Sequence, residues 1–155
     1  MGSVIQKFYT AFKNLDVATM ISCYHKDIYF EDPAFGVLKG ERACNMWRML
    51  LSSQKGKDFV INFSDVQETS DGGSAHWEAH YNFSKTGRRV HNKVDAKFKI
   101  KDGLIIEHID DFNLYQWSKE ALGGSAYVIG WTGFFQKKLQ EQTNKTLSQF
   151  EQKNS

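Results

Sequence analysis

The amino-acid sequence predicts an α+β domain, in which helices pack on one face of a curved, mainly antiparallel sheet that encloses a mostly apolar pocket. Apolar residues recur at helical spacing in the first third of the chain, and from about residue 58 the period changes to two. The segments of period two are separated by hairpin-type turns, Asp71-Gly72-Gly73, Lys85-Thr86-Gly87 and Lys101-Asp102-Gly103. The 155 residues match the size of one domain, which we predict over residues 1–155.

Three helices are predicted before the period changes. Ser3 and Gln6 have the spacing of a capping box and predict the start of the first helix. Asp16 is expected to cap a short second helix that runs as far as Tyr24. A third helix is predicted after Gly40, with an apolar stripe made of Ala43, Met46, Trp47, Leu50 and Leu51.

Five strands are predicted. Residues 28–32 form an early strand that ends at the only proline, Pro33, because proline cannot donate to a strand ladder. The period-two segments then predict a four-strand meander over about 58–67, 74–83, 89–100 and 104–114.

A helical region is predicted after the sheet. It begins with a short turn or helix over Leu114 to Leu122, breaks at Gly123-Gly124 and continues as an amphipathic helix over about 126–152. The apolar positions of the long helix are Val128, Trp131, Phe135, Leu139, Thr146 and Phe150. We expect this helix to cover an open end of the sheet, with a partner-binding or membrane-surface helix as the alternative.

The composition excludes several classes of function. Twenty basic and 18 acidic residues are spread without blocks, so no nucleic-acid surface is predicted. We find no transmembrane segment or secretory signal and expect a cytoplasmic protein that does not bind membranes. The sequence contains no phosphate loop and no nicotinamide or flavin fingerprint, so we expect no cofactor. Cys23 and Cys44 are read as separate reduced thiols, and no metal site is predicted.

Alternation along the strands predicts which side chains face the sheet's interior. On strand 74–83, Trp77 and Tyr81 share the apolar face, and on strand 89–100 the inward set includes Asn92. The opposite face of these strands is polar and is expected to meet solvent or a two-fold partner; it carries His76, Glu78 and His80.

Three polar residues are predicted on apolar strand faces, and this position makes them candidates for function. Asp32 shares a face with Ile28 and Phe30, while His108 and Asp110 share one with Leu104, Ile106 and Phe112. A carboxylate on an apolar face is costly unless it is paired or functional. The three residues therefore form a buried hydrogen-bonded cluster, lie at strand ends that water reaches, or form a ligand-binding or catalytic site.

Several short motifs follow one another along residues 4–115. They are Phe8-Tyr9-Thr10-Ala11-Phe12 with Asp16, the segment from Tyr24 to Pro33, Gly36 and Gly40, Thr86-Gly87-Arg88, and Asp102-Gly103-Leu104-Ile105 before Ile109-Asp110. This ordered set resembles the nuclear transport factor 2-like superfamily, in its SnoaL-like branch. The resemblance implies a cone-shaped fold over about 4–115, to which residues 115–153 add a C-terminal helical extension.

The resemblance also implies roles for individual residues. Glu31-Asp32-Pro33 is similar to the segment that holds the general base of ketosteroid isomerases, which implies that role for Asp32. Phe8 occupies the position at which those enzymes carry a tyrosine, so steroid isomerisation in the standard manner is not implied. Asp110 matches the last-strand aspartate of SnoaL-like cyclases and limonene epoxide hydrolases. The latter also need an Arg-x-Asp on an earlier strand, which residues 76–80 do not supply.

The combined prediction is a protein that binds a small hydrophobic ligand. It is either a cofactor-independent isomerase, cyclase or lyase, or a non-catalytic binding or dimerisation module. Asp110, Asp32 and His108 are the predicted catalytic residues. The predicted ligand contacts are Trp47, Trp77, Tyr81, Asn92 and Phe112. Because superfamily members often pair through the sheet, a homodimer is expected.

Overall fold

The fold is a six-stranded mixed sheet with helices at its concave face and at its open end, and the computed structural model describes residues 3–123 and 133–154. The helices are α1 (Val4–Lys13), α2 (Val17–Ser22), α3 (Glu41–Gln54), α4 (Leu114–Leu122) and α5 (Gly133–Lys153). The strands are β1 (Tyr24–Asp32), β2 (Gly36–Lys39), β3 (Val60–Glu68), β4 (Gly72–Asn82), β5 (Arg89–Lys101) and β6 (Leu104–Asp111).

The strands lie in the order β2-β1-β6-β5-β4-β3. β1 runs parallel to β6, and every other neighbouring pair is antiparallel. The predicted α+β class with a meander and one early strand is confirmed. The β5–β6 turn shows why its sequence specifies a hairpin: Asp102 and Gly103 have φ angles of 54° and 76°, as a two-residue hairpin loop with two positive φ angles requires.

Both predicted helix caps are confirmed. The Ser3 hydroxyl accepts a hydrogen bond from the Gln6 backbone N–H, and the Asp16 carboxylate accepts one from Thr19. The predicted end of the second helix is wrong, because α2 stops at Ser22 and Tyr24 is the first residue of β1. The short strand β2 was not predicted, since four residues after a proline turn carry little periodic signal.

A β-bulge at Ile106 corrects the predicted faces of the last strand. Lys99 pairs with Glu107, but the next residue of β5, Ile100, pairs with Ile105, so Ile106 is an extra residue. The bulge reverses the alternation. Ile105 is fully buried and Ile106 only half-buried, whereas the sequence predicted that Ile106 shares the face of His108.

The main core lies between helices α1–α3 and the inner face of the sheet. The predicted inward positions of β4 and β5 are buried or half-buried, which confirms the alternation on these two strands. A smaller apolar cluster forms where α4 packs on β5, around Val90, Trp117 and Ala121. Tyr81 and Phe112 contact both clusters and so join them.

Helix α5 is held mainly by polar contacts. Its Gln140 and Asn144 amides donate to the carbonyl oxygens of Pro33 and Phe35, and Glu151 pairs with Arg42 of α3. Leu147 is its fully buried residue. The predicted stripe is therefore corrected at Thr146, which is exposed and bonds to a carbonyl of its own helix. Val128 and Trp131 of the predicted stripe lie outside the described residues.

Within residues 3–123 and 133–154, no helix combines the length and the apolar character needed to cross a membrane.

Candidate functional site

Five buried side chains form a continuous chain of hydrogen bonds through the core. Trp47 Nε1 donates to the Tyr24 hydroxyl at 2.9 Å, and that hydroxyl lies 2.7 Å from His108 Nδ1. His108 Nε2 lies 2.8 Å from Asp110 Oδ1, which also accepts a 3.2 Å hydrogen bond from Trp77 Nε1. We call Trp47, Tyr24, His108, Asp110 and Trp77 the buried relay.

The donors and acceptors of the buried relay fit one arrangement of protons. Indole N–H groups only donate, so the Tyr24 oxygen accepts from Trp47 and its own proton is free to donate to His108 Nδ1. His108 is then a neutral imidazole protonated at Nε2, and this N–H donates to Asp110 Oδ1. In this arrangement every polar group of the relay is paired, as buried polar groups require.

Aromatic rings surround His108, which is fully buried. Five side chains place ring centroids between 4.5 and 6.2 Å from its imidazole, namely Phe98, Phe30, Phe8, Tyr24 and Trp47. Close packing of this kind fixes the ring position. His108 therefore holds Asp110 Oδ1 in one orientation.

Asp32 is positioned by the turn that follows β1. Its Oδ1 accepts backbone hydrogen bonds from Ala34 at 2.9 Å and Phe35 at 2.6 Å, and Pro33 ends the strand at this point. Burial raises the pKa of the Asp32 carboxyl to about 7. The negative charge of Asp110 adds to this increase, while the two backbone hydrogen bonds oppose it.

The β1–β6 pairing brings the two aspartates together. Phe30 pairs with His108 and Glu31 with Ile109 in the parallel register, so the next residues along each strand are Asp32 and Asp110. Both alternate onto the inner face of the sheet. The structure thus places the predicted catalytic residues Asp32, His108 and Asp110 in one site.

Asp32 and Asp110 line a cavity of about 700 Å³ where β1, β5 and β6 approach the first half of α5. Its described lining is mainly polar and charged, whereas the sequence predicted a mostly apolar pocket. The lining residues are Glu31, Asp32, Pro33, Asp95, Lys97, Ile109, Asp110, Asp111, Gln136 and Gln140. Five carboxylates against one ammonium group make the cavity strongly acidic.

The five predicted ligand contacts do not belong to the described lining of this cavity. Trp47 and Trp77 are buried in the core and donate to the buried relay. Tyr81 is half-buried, and its hydroxyl accepts a hydrogen bond from Trp117. Asn92 is half-buried opposite Ala79, and Phe112 is half-buried just after β6. Contact of these five residues with a ligand remains a prediction.

Several residues of the site were missed from the sequence. Tyr24 was assigned to a helix, because the exposed Lys26 interrupts the two-residue spacing that links Ile28, Phe30 and Asp32. Gln136 and Gln140 were missed because their role depends on how α5 docks. Both amides donate to the Pro33 carbonyl at 3.2 Å and so support the turn that holds Asp32.

The fold and site define a class of small α+β proteins with carboxylates at the open end of a curved sheet. A family model described as SnoaL-like domain matches residues 5–108. The chain belongs to this SnoaL-like family. A comparison with curated protein sequences finds no match.

Solved structures with the same fold cover most of the chain. An LEH-like epoxide hydrolase from M. tuberculosis is 21% identical, with a TM-score of 0.60, covering 81% of this chain and 92% of its own. A proposed polyketide cyclase from Xanthomonas campestris pv. campestris is 18% identical, with a TM-score of 0.60, covering 76% and 93%. A proposed isomerase from Bacillus subtilis is 18% identical, with a TM-score of 0.59, covering 78% and 91%. At these identities the similarity establishes the fold alone.

Proposed function

We propose that this protein is a cofactor-independent acid–base enzyme that isomerises, cyclises or eliminates from a small hydrophobic carbonyl compound. The observation that carries the proposal is the pair of carboxylates, Asp32 and Asp110, side by side at one cavity. A pKa of about 7 at Asp32 gives the pair one proton to share near neutral pH. The activities named for the similar structures, epoxide hydrolase, polyketide cyclase and isomerase, support the same class of chemistry.

The proposed step uses the two carboxylates in different roles. Asp110, ionised and oriented by His108 and Trp77, accepts a proton from a carbon next to the substrate carbonyl. Asp32, protonated, donates its proton to the carbonyl oxygen, so the substrate becomes a neutral enol and the pair keeps one proton. Asp110 then gives its proton to a different carbon while the enol hydroxyl returns its proton to Asp32, which completes an isomerisation and restores both carboxyl groups.

The charge of the cavity restricts the ligand. Glu31, Asp95 and Asp111 add three carboxylates to the pair, and Lys97 supplies one cation. An anionic ligand would meet a repulsive potential here. We therefore propose a neutral ligand whose apolar body extends toward the predicted contacts Tyr81, Asn92 and Phe112, while the predicted contacts Trp47 and Trp77 are members of the buried relay.

The experiment measures proton exchange directly. Small cyclic ketones and phenolic ketones are incubated with the protein in D₂O, and NMR follows loss of the signal from the hydrogens next to the carbonyl. We expect catalysed exchange that falls by about 100-fold or more in Asp110→Asn and Asp32→Asn, the range for loss of a general acid or base. The matched control is Asp27→Asn, because Asp27 is an exposed residue of β1, the strand that also carries Asp32. Equal exchange by the parent and both site variants would reject the acid–base role.

The second candidate is a non-catalytic binding or dimerisation module. It is favoured by the close packing of the core, because the rings of Phe8, Phe30 and Phe98 surround His108 and leave that part of the relay inaccessible to a substrate. A protein of this kind would bind the same cyclic and phenolic ketones without catalysing exchange of their hydrogens with D₂O. NMR line broadening without exchange would therefore support it.

We also propose a homodimer that pairs through the outer face of the sheet. Val37 and Val60, two of the large apolar side chains exposed among the described residues, lie on this face beside Glu31 and His80. Pairing would bury them, and closed two-fold pairing is the commonest arrangement. Light scattering at micromolar concentration should give the mass of two chains, shifted toward one chain by Val60→Glu. A monomer mass for the parent would remove this proposal.

A further inference from the structure

A second cluster of side chains lies on the outer face of the sheet, opposite the face that carries Asp32 and Asp110. His80 on β4 pairs directly with His91 on β5, and Glu78 is two residues from His80 on the same face. The two imidazole rings stack with centroids 3.9 Å apart and planes 23° apart. All three side chains are half-buried.

The polar atoms of this cluster converge. Glu78 Oε1 lies 2.5 Å from His91 Nε2, and one ligand atom each from Glu78, His80 and His91 lie within 4.8 Å of one another. Both strands are central in the sheet, so the Cβ positions of the three residues are fixed by backbone pairing on two sides.

We propose that Glu78, His80 and His91 bind a divalent cation of the zinc class. Two imidazole nitrogens and one carboxylate oxygen form a donor set that Zn²⁺ prefers, with a fourth position left for water. Donors about 2.0–2.2 Å from a tetrahedral ion lie about 3–3.5 Å apart, so binding requires these half-exposed side chains to rotate. The ion takes the position of the proton between His91 Nε2 and Glu78 Oε1, and the neutral imidazole then carries its N–H on Nδ1.

The surrounding residues fit a ligand role for Glu78. His76 Nε2 lies 2.8 Å from the other carboxylate oxygen, Oε2, and His76 Nδ1 lies 2.9 Å from Asp95 Oδ1. This arrangement orients the Glu78 carboxylate from behind, as outer-sphere partners of metal ligands do.

Other charges near the cluster set its strength. Lys93 lies directly across from Glu78 on the same face, and its exposed ammonium group opposes a cation there. Asp95 and Glu120 add negative charge; Glu120 of α4 accepts a hydrogen bond from the His91 backbone N–H. The site is thus a surface site that favours a cation by its donor atoms and only weakly by its net charge.

Sequence spacing does not predict this site, because its ligands come from two strands. His76, Glu78 and His80 alternate on β4, but the decisive partner, His91, enters only through the β4–β5 register. The three proposed ligands are not lining residues of the acid–base cavity, although Asp95, which bonds to His76, lines it.

The test is calorimetric titration of the untagged full-length chain with ZnCl₂ in a buffer that does not coordinate metals. We expect saturable binding of one Zn²⁺ per chain, lost in His80→Ala and His91→Ala. His76→Ala should weaken binding about 10- to 100-fold, as loss of an outer-sphere partner does. His25→Ala, a histidine outside the cluster, is the matched control and should bind as the parent does.

Three results would overturn the proposal. They are the absence of saturable binding by the parent, equal binding by His91→Ala and the parent, and one Zn²⁺ per two chains, which would place the ion between copies. Thermal melts of each variant without metal show whether it is folded, and His80→Gln and His91→Gln replace any alanine variant that is not. Zinc should also raise the melting temperature of the parent and leave that of His91→Gln unchanged.

Discussion

Tyr24 and Tyr9 carry buried phenol groups in opposite situations. The Tyr24 hydroxyl accepts from Trp47 and donates to His108, whereas the Tyr9 hydroxyl has no hydrogen-bond partner in the part of the chain that the structure describes. Both rings are well packed, Tyr9 stacking on Phe63 and Tyr24 on Phe8. The two residues therefore separate the contribution of a hydroxyl group's hydrogen bonds from that of its ring.

The first prediction uses this contrast. Tyr24→Phe leaves the Trp47 N–H and His108 Nδ1 without partners, and each buried unpaired group costs about 1–3 kcal/mol. We expect the free energy of unfolding to fall by about 2–6 kcal/mol. Tyr9→Phe, the matched control, should change it by less than about 1 kcal/mol or raise it. Urea denaturation measures both, and equal losses would show that the relay does not stabilise the core.

The second prediction concerns Asp32 and pH. Its pKa is raised from 3.8 to about 7 in the folded protein, so between these values the folded state holds more protons than the unfolded state. Stability therefore falls as pH rises through this window. The full shift corresponds to about 4 kcal/mol, and since the side chain is only half-buried we expect about 1–2 kcal/mol after screening by water.

Asp32→Asn removes the ionisation and keeps an oxygen that accepts from Ala34 and Phe35. Its free energy of unfolding should exceed that of the parent at pH 8 and equal it at pH 4. Denaturation curves at the two pH values measure the difference. An Asn variant that is less stable at pH 8 would mean that the charged carboxylate stabilises the fold.

The candidate residues of the site were predictable from the sequence where a polar residue interrupts the apolar face of a strand. Asp32, His108 and Asp110 were identified because polar residues on apolar strand faces need a partner or a function. Tyr24 fits the pattern of β1 and so gave no such signal. Gln136 and Gln140 depend on helix docking, which one sequence does not specify.

At the scale of elements, α5 is the segment whose contacts differ most from expectation. Its amphipathic pattern predicted an apolar stripe, but the helix is held by amide, hydroxyl and carboxylate contacts to the β1–β2 turn and to α3. Leu147 is the apolar residue that it buries completely. Hydrophobic periodicity indicates the buried face of a helix only where apolar contacts hold that helix. Strand alternation fails for a different reason at Ile106, where the extra residue of the bulge reverses the two faces.

The third prediction tests this docking. Leu147→Ala should lower the free energy of unfolding by about 2–5 kcal/mol, the cost of truncating a buried leucine. Phe134→Ala on the same helix, at a residue 70% exposed, is the matched control and should change it by less than about 0.5 kcal/mol. Thermal or urea melts compare the two. A neutral Leu147→Ala would mean that α5 contributes little to the folded domain.

At the scale of the whole molecule, the fold class and the order of the elements other than β2 were predictable because period changes and turn sequences are local signals. The parallel pairing of β1 with β6 was not, since it joins strands about 80 residues apart. That pairing is what sets Asp32 beside Asp110. The candidate site thus depends on the least predictable contact of the sheet.

The central claim is that Asp32 and Asp110 act as one coupled carboxylate pair. Carboxyl-detected ¹³C NMR of the aspartates across pH 3–9 tests it most directly. We predict that Asp32 titrates near 7 in the parent and at lower pH in Asp110→Asn, because that variant removes the neighbouring negative charge. An Asp32 signal that titrates near 3.8, or at the same pH in both proteins, would contradict the claim.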